Sequence, residues 1–152
     1  MPETERTLVL VKPDALQRGL AGEVLARLER RGLRIAGLKL LVVSDEMAKR
    51  HYAEHEGKPF YQGLVSFITS GPIIAAAFEG PGAIQAARQV MGATDPQRAA
   101  PGTIRADLGI DMGRNLVHGS DSPESAKREL EIFFTPDELL DYGRAIDAWL
   151  VE

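Results

Sequence analysis

One histidine of this sequence lies in a short polar segment whose residue types could support chemistry. Asn115 precedes His118 by three positions, and a glycine, a serine and an aspartate follow it, in the stretch NLVHGSDS at residues 115–122. Taken alone, His118 fits a satisfied structural histidine better than a reactive group. Several polar neighbours around one imidazole are costly to bury as packing, however, and Gly119 allows the backbone a close approach. The segment therefore favours a cleft that solvent can reach.

Other motifs that bind phosphate or metal are weaker. The stretch GLRIAGLK has both glycines of a phosphate-binding loop, but Leu38 stands where that loop needs lysine. His51 and His55, in HYAEH, are one helical turn apart, which is compatible with metal binding. The sequence offers them no third ligand pattern, and we interpret both as solvated helix histidines. A dinucleotide site is not expected because GxGxxG is absent.

Composition limits the class of protein. The 152 residues predict a single domain over 1–152, and 44% are hydrophobic, enough for one core. No apolar run approaches the roughly 20 residues of a membrane helix, and the N-terminal segment does not resemble a secretory signal. The chain has no cysteine, so we expect no disulfide and a cytoplasmic location. A net charge of −4 argues against a general nucleic-acid binder.

Alternating strand and helix patterns would position these residues. β-Branched and apolar runs predict strands, at 5–12, 33–43, 72–80 and 114–120. Helical spacing and capping residues predict helices between the strands and after them, at 22–31, 45–57, 61–71, 81–92, 123–134 and 135–150. Residues 93–114 are predicted to be irregular. This order indicates an α+β fold of the ferredoxin-like type, with a four-stranded antiparallel sheet and flanking helices.

The residues around His118 also carry a family resemblance. RNLVHGSDS resembles the N-x-x-H-G-S-D signature of nucleoside diphosphate kinases. Further segments resemble the same family in the same order: TLVLVKPDALQRGLAGEVLARLERRG, HYAEHEGKPFYQGLVSFITSGP, PGTIRADLG, SPESAKRELEIFF and AWLVE. The resemblance extends over nearly the whole chain.

This resemblance implies a catalytic group. His118 would attack the γ-phosphorus of a nucleoside triphosphate, become phosphohistidine and pass the phosphoryl group to a diphosphate in a ping-pong mechanism. Glu129 would hold the other ring nitrogen, and Ser120 would support that contact.

The resemblance also implies a nucleotide-binding set. Cations and hydroxyls would hold phosphates, polar groups would hold the ribose, and apolar side chains would flank the base, giving broad base tolerance. These residues are Lys12, Tyr52, Phe60, Arg88, Thr94, Arg105, Met112 and Asn115. Mg²⁺ would accompany the nucleotide, and Asp121 would contact it through water at most.

The partners implied are nucleoside tri- and diphosphates and further copies of the chain. The C-terminal AIDAWLVE resembles hexameric members of the family more than tetrameric ones. Two other functions remain open from the sequence. One is a phosphohistidine relay or a nucleotide-binding regulator without turnover. The other is nucleic-acid binding, which the acidic composition disfavours as the main activity.

Overall fold

A four-stranded antiparallel sheet organises the protein. The computed structural model describes residues 4–152. Residues 1–3, which belong to the predicted domain and to the N-terminal segment predicted not to be a secretory signal, lie outside the described residues. The strands are β1 (Thr4–Val11), β2 (Arg34–Leu41), β3 (Ile73–Pro81) and β4 (Val117–Gly119). Their order is β2-β3-β1-β4, and each neighbouring pair is antiparallel. The predicted ferredoxin-like α+β class is confirmed.

Helices connect the strands and cover the sheet. Within residues 4–152 they are α1 (Pro13–Gln17), α2 (Ala21–Arg30), α3 (Asp45–His51), α4 (Tyr61–Ile68), α5 (Ala83–Met91), α6 (Ile104–Leu108), α7 (Pro123–Phe133) and α8 (Asp147–Leu150). None of these described helices is both long enough and apolar enough to span a bilayer.

The central strand β1 is buried on both faces. Val9 and Val11 join a core cluster with residues of α1, α2 and α5, whereas Leu8 and Leu10 join a second cluster with residues of α3, α4 and α7. Successive side chains of a strand point to opposite faces, so the helices form a layer on each side. The edge strand β4 pairs with β1 and is thereby fixed to the most buried part of the sheet.

Two predicted helix starts are confirmed by their caps. The Ser44 side chain accepts a hydrogen bond from the Met47 N–H at the start of α3. Ser122 accepts from the Ser125 N–H at the start of α7, where Pro123 occupies the first turn. Such caps satisfy backbone donors that have no partner within the helix. The cap at Ser122 brings the chain directly from β4 into α7.

The segment at residues 93–114 is more ordered than predicted. It contains a 3₁₀ turn at Pro96–Arg98 and the short helix α6. The Thr103 hydroxyl accepts from the Ala106 N–H and so begins α6. The prediction of one long irregular segment was wrong because this side-chain cap lies inside a stretch rich in glycine and proline.

The predicted helix at 135–150 was also wrong for most of its length. Only a 3₁₀ turn at Pro136–Glu138 and α8 are helical. The chain between them lies against β2, where the Leu140 N–H donates to the Ala36 carbonyl at 2.8 Å. Hydrogen bonds to β2 replace those that a continuous helix would have made.

Candidate active site

His118 lies in the edge strand β4, opposite Leu10 of β1. The preceding Leu116 has a φ of 75°, a conformation that bulky residues rarely adopt. It is held there because its N–H donates to the Asp14 carboxylate at 3.0 Å and its carbonyl accepts from the Lys12 N–H at 2.9 Å. Asn115 therefore lies outside β4, so the strand rule that residues three apart point to opposite faces does not apply to Asn115 and His118.

A chain of hydrogen bonds fixes the imidazole of His118. Its Nε2 lies 2.9 Å from Oε1 of Glu129, on α7. The Ser120 hydroxyl donates to the same oxygen at 2.8 Å and accepts from the Leu8 N–H at 3.2 Å. The structure thus brings together the three predicted catalytic residues, His118, Glu129 and Ser120.

The ionised state of Glu129 determines which ring nitrogen is reactive. Burial of this carboxyl favours its neutral form, but hydrogen bonds and charge interactions with His118, together with the bond from Ser120, outweigh that effect and lower the pKa of Glu129 to about 2. An ionised carboxylate only accepts hydrogen bonds, so Nε2 of His118 must carry the proton. In the neutral imidazole, Nδ1 therefore keeps its lone pair.

His51 is not a solvated histidine, so that interpretation was wrong. It is 4% exposed at the end of α3, and its ring meets that of His118 edge-on, with centroids 4.7 Å apart. Burial first, and then the charge of His118, lower the pKa of His51 to about 3, which keeps it neutral at neutral pH. Its spacing of three from the buried Ala48 was the available sequence signal, because such residues share a helix face. His55 lies in a 3₁₀ turn and is partly exposed.

Lys12 and Asn115 meet at the end of β1. The Lys12 ammonium donates to Asn115 Oδ1 at 2.6 Å, and the Asn115 amide donates to the Thr94 carbonyl at 2.9 Å. Burial lowers the pKa of Lys12 to about 8. The three predicted ligands thus form one connected group, although the Thr94 carbonyl rather than its exposed hydroxyl makes the contact.

The two predicted arginine ligands differ in their surroundings. Arg105 is 7% exposed and donates to three backbone carbonyls, those of Gly92, Asn115 and Val117. Arg88 is exposed and donates to the Gly119 carbonyl at 3.2 Å. Burial and the nearby Arg88 charge lower the pKa of Arg105 to about 10. Two guanidinium groups therefore anchor on the carbonyls that flank His118.

The remaining predicted residues surround this group less tightly. The Tyr52 ring lies 4.7 Å from that of His51, and burial raises the pKa of Tyr52 to about 12, so its hydroxyl keeps a proton to donate. Phe60 and Met112 are 51% and 58% exposed, which leaves apolar surface open to a ligand. Asp121 is exposed next to the active-site serine.

Sequence reasoning missed a cationic and aromatic pair beside Lys12. The Arg114 guanidinium lies 4.2 Å from the centroid of the Phe67 ring, and the Lys12 ammonium lies 5.4 Å from the same centroid. Both cations repel further positive charge. The site therefore favours a highly anionic ligand.

A cavity of about 630 Å³ lies away from His118, at the end of the sheet where β1 begins. Two of its three arginines are already in ion pairs: Arg34 with Glu79 and Arg144 with Asp147. The cavity also contains none of the predicted site residues. The chemistry is therefore assigned to the residues around β4 rather than to this cavity.

Comparison with known proteins gives a consistent result. A family model described as nucleoside diphosphate kinase matches residues 5–139. A protein of that name from Thermomicrobium roseum is 61% identical over 147 residues, which cover 97% of this chain and 99% of the relative. One from Desulforamulus reducens is 57% identical over 148 residues, which cover 97% of this chain and 99% of the relative.

Solved structures agree. A halophilic nucleoside diphosphate kinase from Halobacterium salinarum, in complex with CDP, matches with a TM-score of 0.96 at 54% identity and covers 99% of this chain and 100% of that chain. A nucleoside diphosphate kinase family protein from Babesia bovis matches with a TM-score of 0.94 at 42% identity, covering 97% of this chain and 99% of that chain.

Proposed function

This chain belongs to the nucleoside diphosphate kinase family, and we propose that it transfers the γ-phosphoryl group of a nucleoside triphosphate to a nucleoside diphosphate through a phosphohistidine at His118. The observation that carries this proposal is the hydrogen bond from His118 Nε2 to Glu129, which leaves Nδ1 as the nucleophilic nitrogen. The direct test is a coupled assay with ATP and a panel of diphosphates. Diphosphate-dependent turnover is expected, and its absence would contradict the proposal.

The first half-reaction follows from this tautomer. The Nδ1 lone pair forms a bond to the γ-phosphorus while the bond from that phosphorus to the β–γ bridging oxygen breaks. The oxygen keeps the electron pair and leaves as part of the diphosphate. The ring becomes cationic, and the Glu129 carboxylate stabilises that charge through the proton on Nε2. The second half-reaction is the reverse transfer to a different diphosphate.

Phosphoryl transfer requires mainly positioning and charge stabilisation. Arg88 and Arg105 can each present remaining N–H donors to phosphate oxygens, because each guanidinium has five. Lys12 and Asn115, which are hydrogen-bonded to each other, would hold the ribose and neighbouring phosphate oxygens, with the hydroxyls of Tyr52 and Thr94 as further donors. The cluster of positive charge supports binding of a polyphosphate rather than a neutral ligand.

Mg²⁺ fits this donor set as an ion that enters with the nucleotide. Mg²⁺ is typically held by substrate phosphates, one or two carboxylates and several waters. The phosphate-binding side of the cleft is lined by cations, and the exposed Asp121 follows Ser120 in the chain. When bound, Mg²⁺ would neutralise charge on the β- and γ-phosphates, with Asp121 contacting it through water at most.

The base site should accept different nucleotides. The exposed side chains of Phe60 and Met112 offer stacking and apolar contact, and such contacts discriminate between ligands by only about 10- to 200-fold. The relative from Halobacterium salinarum was solved with a pyrimidine nucleotide, CDP. We expect comparable values of kcat/KM for GDP, CDP and UDP. A preference of more than about a thousandfold would instead require directional hydrogen bonds to the base.

Replacing Glu129 with glutamine should slow phosphoenzyme formation without abolishing it. The amide cannot stabilise the cationic ring and no longer requires the proton to reside on Nε2. We expect formation about 10- to 100-fold slower, the range typical of losing a group that orients a histidine. Rapid-quench measurement with labelled ATP would give the rate. Glu131→Gln, exposed on the same helix, is the matched control, and equal rates in both variants would contradict the role of Glu129.

Further copies of the chain are the proposed macromolecular partner, with a hexamer favoured over a tetramer. The edge strand β2 and the residue just beyond it expose apolar side chains at alternate positions, with Leu38 49%, Leu40 66% and Val42 64% exposed. An exposed edge of this kind is typically covered in a native protein. Light scattering should give the mass of six chains. A mass near 16.5 kDa would contradict any oligomer, and four chains would contradict only the hexamer.

Two alternatives give different results in the same experiments. A phosphohistidine relay would form a phosphoenzyme that diphosphates do not discharge, whereas a nucleotide-binding regulator without turnover would bind nucleotide and form no phosphoenzyme. A nucleic-acid binder would show salt-dependent retardation of DNA in a gel, which the net charge of −4 disfavours. The single domain over 1–152 and the cytoplasmic location stay predictions from length and composition.

A further inference from the structure

The proposed nucleophile, His118, is one of three neighbouring side chains that could bind a metal ion. His51, His118 and Glu129 each offer one ligand atom, and these atoms all lie within 4.8 Å of one another. The proposed reaction uses His118 and Glu129 but gives His51 no chemical task. The Nδ1 atom of His51 is also buried without a hydrogen-bond partner. A buried polar atom in that state is unfavourable unless something binds it.

We propose that His51, His118 and Glu129 form a binding site for Zn²⁺, and that an ion bound there stops phosphoryl transfer. Two imidazoles and one carboxylate, with one position left open, are a common donor set for zinc. His51 and Glu129 are 4% and 5% exposed, whereas the His118 side chain is 28% exposed and leaves a path from solvent. Mg²⁺ prefers oxygen ligands, so the substrate's own ion is not expected there.

The geometry requires only small shifts. Zinc bonds of about 2.0–2.1 Å in a tetrahedron place neighbouring ligand atoms about 3.3–3.4 Å apart. His118 Nε2 and Glu129 Oε1 are at 2.9 Å, held together by a proton that the ion would replace. The largest separation, at most 4.8 Å, would have to shorten by up to about 1.4 Å to reach the tetrahedral value.

Coordination would disable the nucleophile whichever nitrogen of His118 binds. A neutral imidazole carries one proton and one lone pair. If Nε2 binds zinc, the proton resides on Nδ1, which then has no lone pair for the γ-phosphorus. If Nδ1 binds zinc, the ion occupies that lone pair directly. This inference about regulation depends on the proposed phosphohistidine, whereas the metal site itself does not.

Binding is tested first on the full chain without nucleotide. Zn²⁺ is titrated in competition with a chromophoric chelator, and Co²⁺ is used separately as a probe whose visible spectrum reports nitrogen coordination. We expect one Zn²⁺ per chain. His51→Phe keeps a ring of similar size against His118 and Phe133 and should weaken binding at least about tenfold. His55→Phe is the matched control, since it leaves the cluster complete, and should bind like the wild type.

Inhibition is then tested with free Zn²⁺ set by a metal buffer. Zn²⁺ should slow phosphoenzyme formation in the wild type and in His55→Phe but not in His51→Phe, and a chelator should reverse the effect. If His51→Phe does not fold, His51→Gln takes its place. Absence of stoichiometric binding, or equal affinity in both histidine variants, overturns the metal site without affecting the kinase proposal. Binding without phosphoenzyme formation in any protein would instead contradict the proposed function.

Discussion

Replacing His118 with alanine should abolish both phosphoenzyme formation and turnover. Loss of a covalent nucleophile typically costs several orders of magnitude, and we expect kcat to fall about 10⁴-fold or more. Incubation of the wild type with ATP and Mg²⁺ should give a phosphoenzyme before any acceptor is added. Its phosphoramidate should be labile in acid and stable in base, unlike a phosphoserine at Ser120 or Ser122. Adding a diphosphate should discharge it.

The loss of His118 should also affect stability, because Glu129 loses a hydrogen-bond donor. Alanine leaves the Glu129 carboxylate, which is 5% exposed, with the Ser120 hydroxyl as its remaining hydrogen-bond donor. An unsatisfied buried group costs about 1–3 kcal/mol, so the variant should be measurably less stable yet folded. His118→Gln can place an amide N–H near the former Nε2 and should recover stability without activity.

One result with His118→Ala would contradict the assignment of His118 as the nucleophile. An acid-labile phosphoenzyme that persists in His118→Ala would move the nucleophile to another histidine. His51→Gln and His55→Gln then separate the two remaining candidates, because the chain contains only three histidines. The structure favours neither as a nucleophile, since His51 is buried and His55 lies in a separate 3₁₀ turn.

Local patterns were enough to predict the sheet, most helices and two caps. The strands around β1 are apolar runs bounded by glycine and proline, and Ser44 and Ser122 satisfy helix ends within three residues of themselves. The segment at 135–150 has helical spacing but is held against β2 through Leu140. Its conformation depends on a strand about a hundred residues away, and no local pattern carries that information.

The candidate site also has features that the sequence indicated and features that it did not. The resemblance to the family indicated His118 and Glu129, and the strand followed by a capped helix explains why residues eleven apart meet. The burial of His51 was not predicted, because it depends on α3 packing against α7 and β4. The positive φ of Leu116 was also not predictable, since it is held by Lys12 and Asp14, about a hundred residues earlier in the chain.

Replacing Arg105 with lysine should destabilise the protein as well as weaken nucleotide binding. The sequence indicated only a phosphate-binding cation, but this buried guanidinium also donates to the carbonyls of Gly92, Asn115 and Val117. A lysine ammonium is a compact donor without the planar fork and can replace one of these contacts. The Asn115 carbonyl also accepts from the Val117 N–H at 2.8 Å and keeps that donor. If lysine replaces one of the other two contacts, one carbonyl is left without a donor, so we expect a loss of about 1–3 kcal/mol.

Arg88→Lys is the matched comparison, because Arg88 is exposed and donates to a single carbonyl. Its stability should change by no more than about 0.5 kcal/mol, although its KM for nucleotide should rise. Thermal unfolding at equal protein concentration would separate the two variants, since about 1 kcal/mol shifts the Tm of a domain of this size by roughly 2–4 °C. Equal Tm values would show that the carbonyl contacts of Arg105 contribute little, and would leave phosphate binding as its main role. A lower Tm for Arg105→Lys, together with a smaller rise in Tm on adding nucleotide than in the wild type, would indicate that this side chain both holds the segment before β4 in place and binds the phosphates, because ligand binding stabilises the folded state to an extent that increases with its affinity.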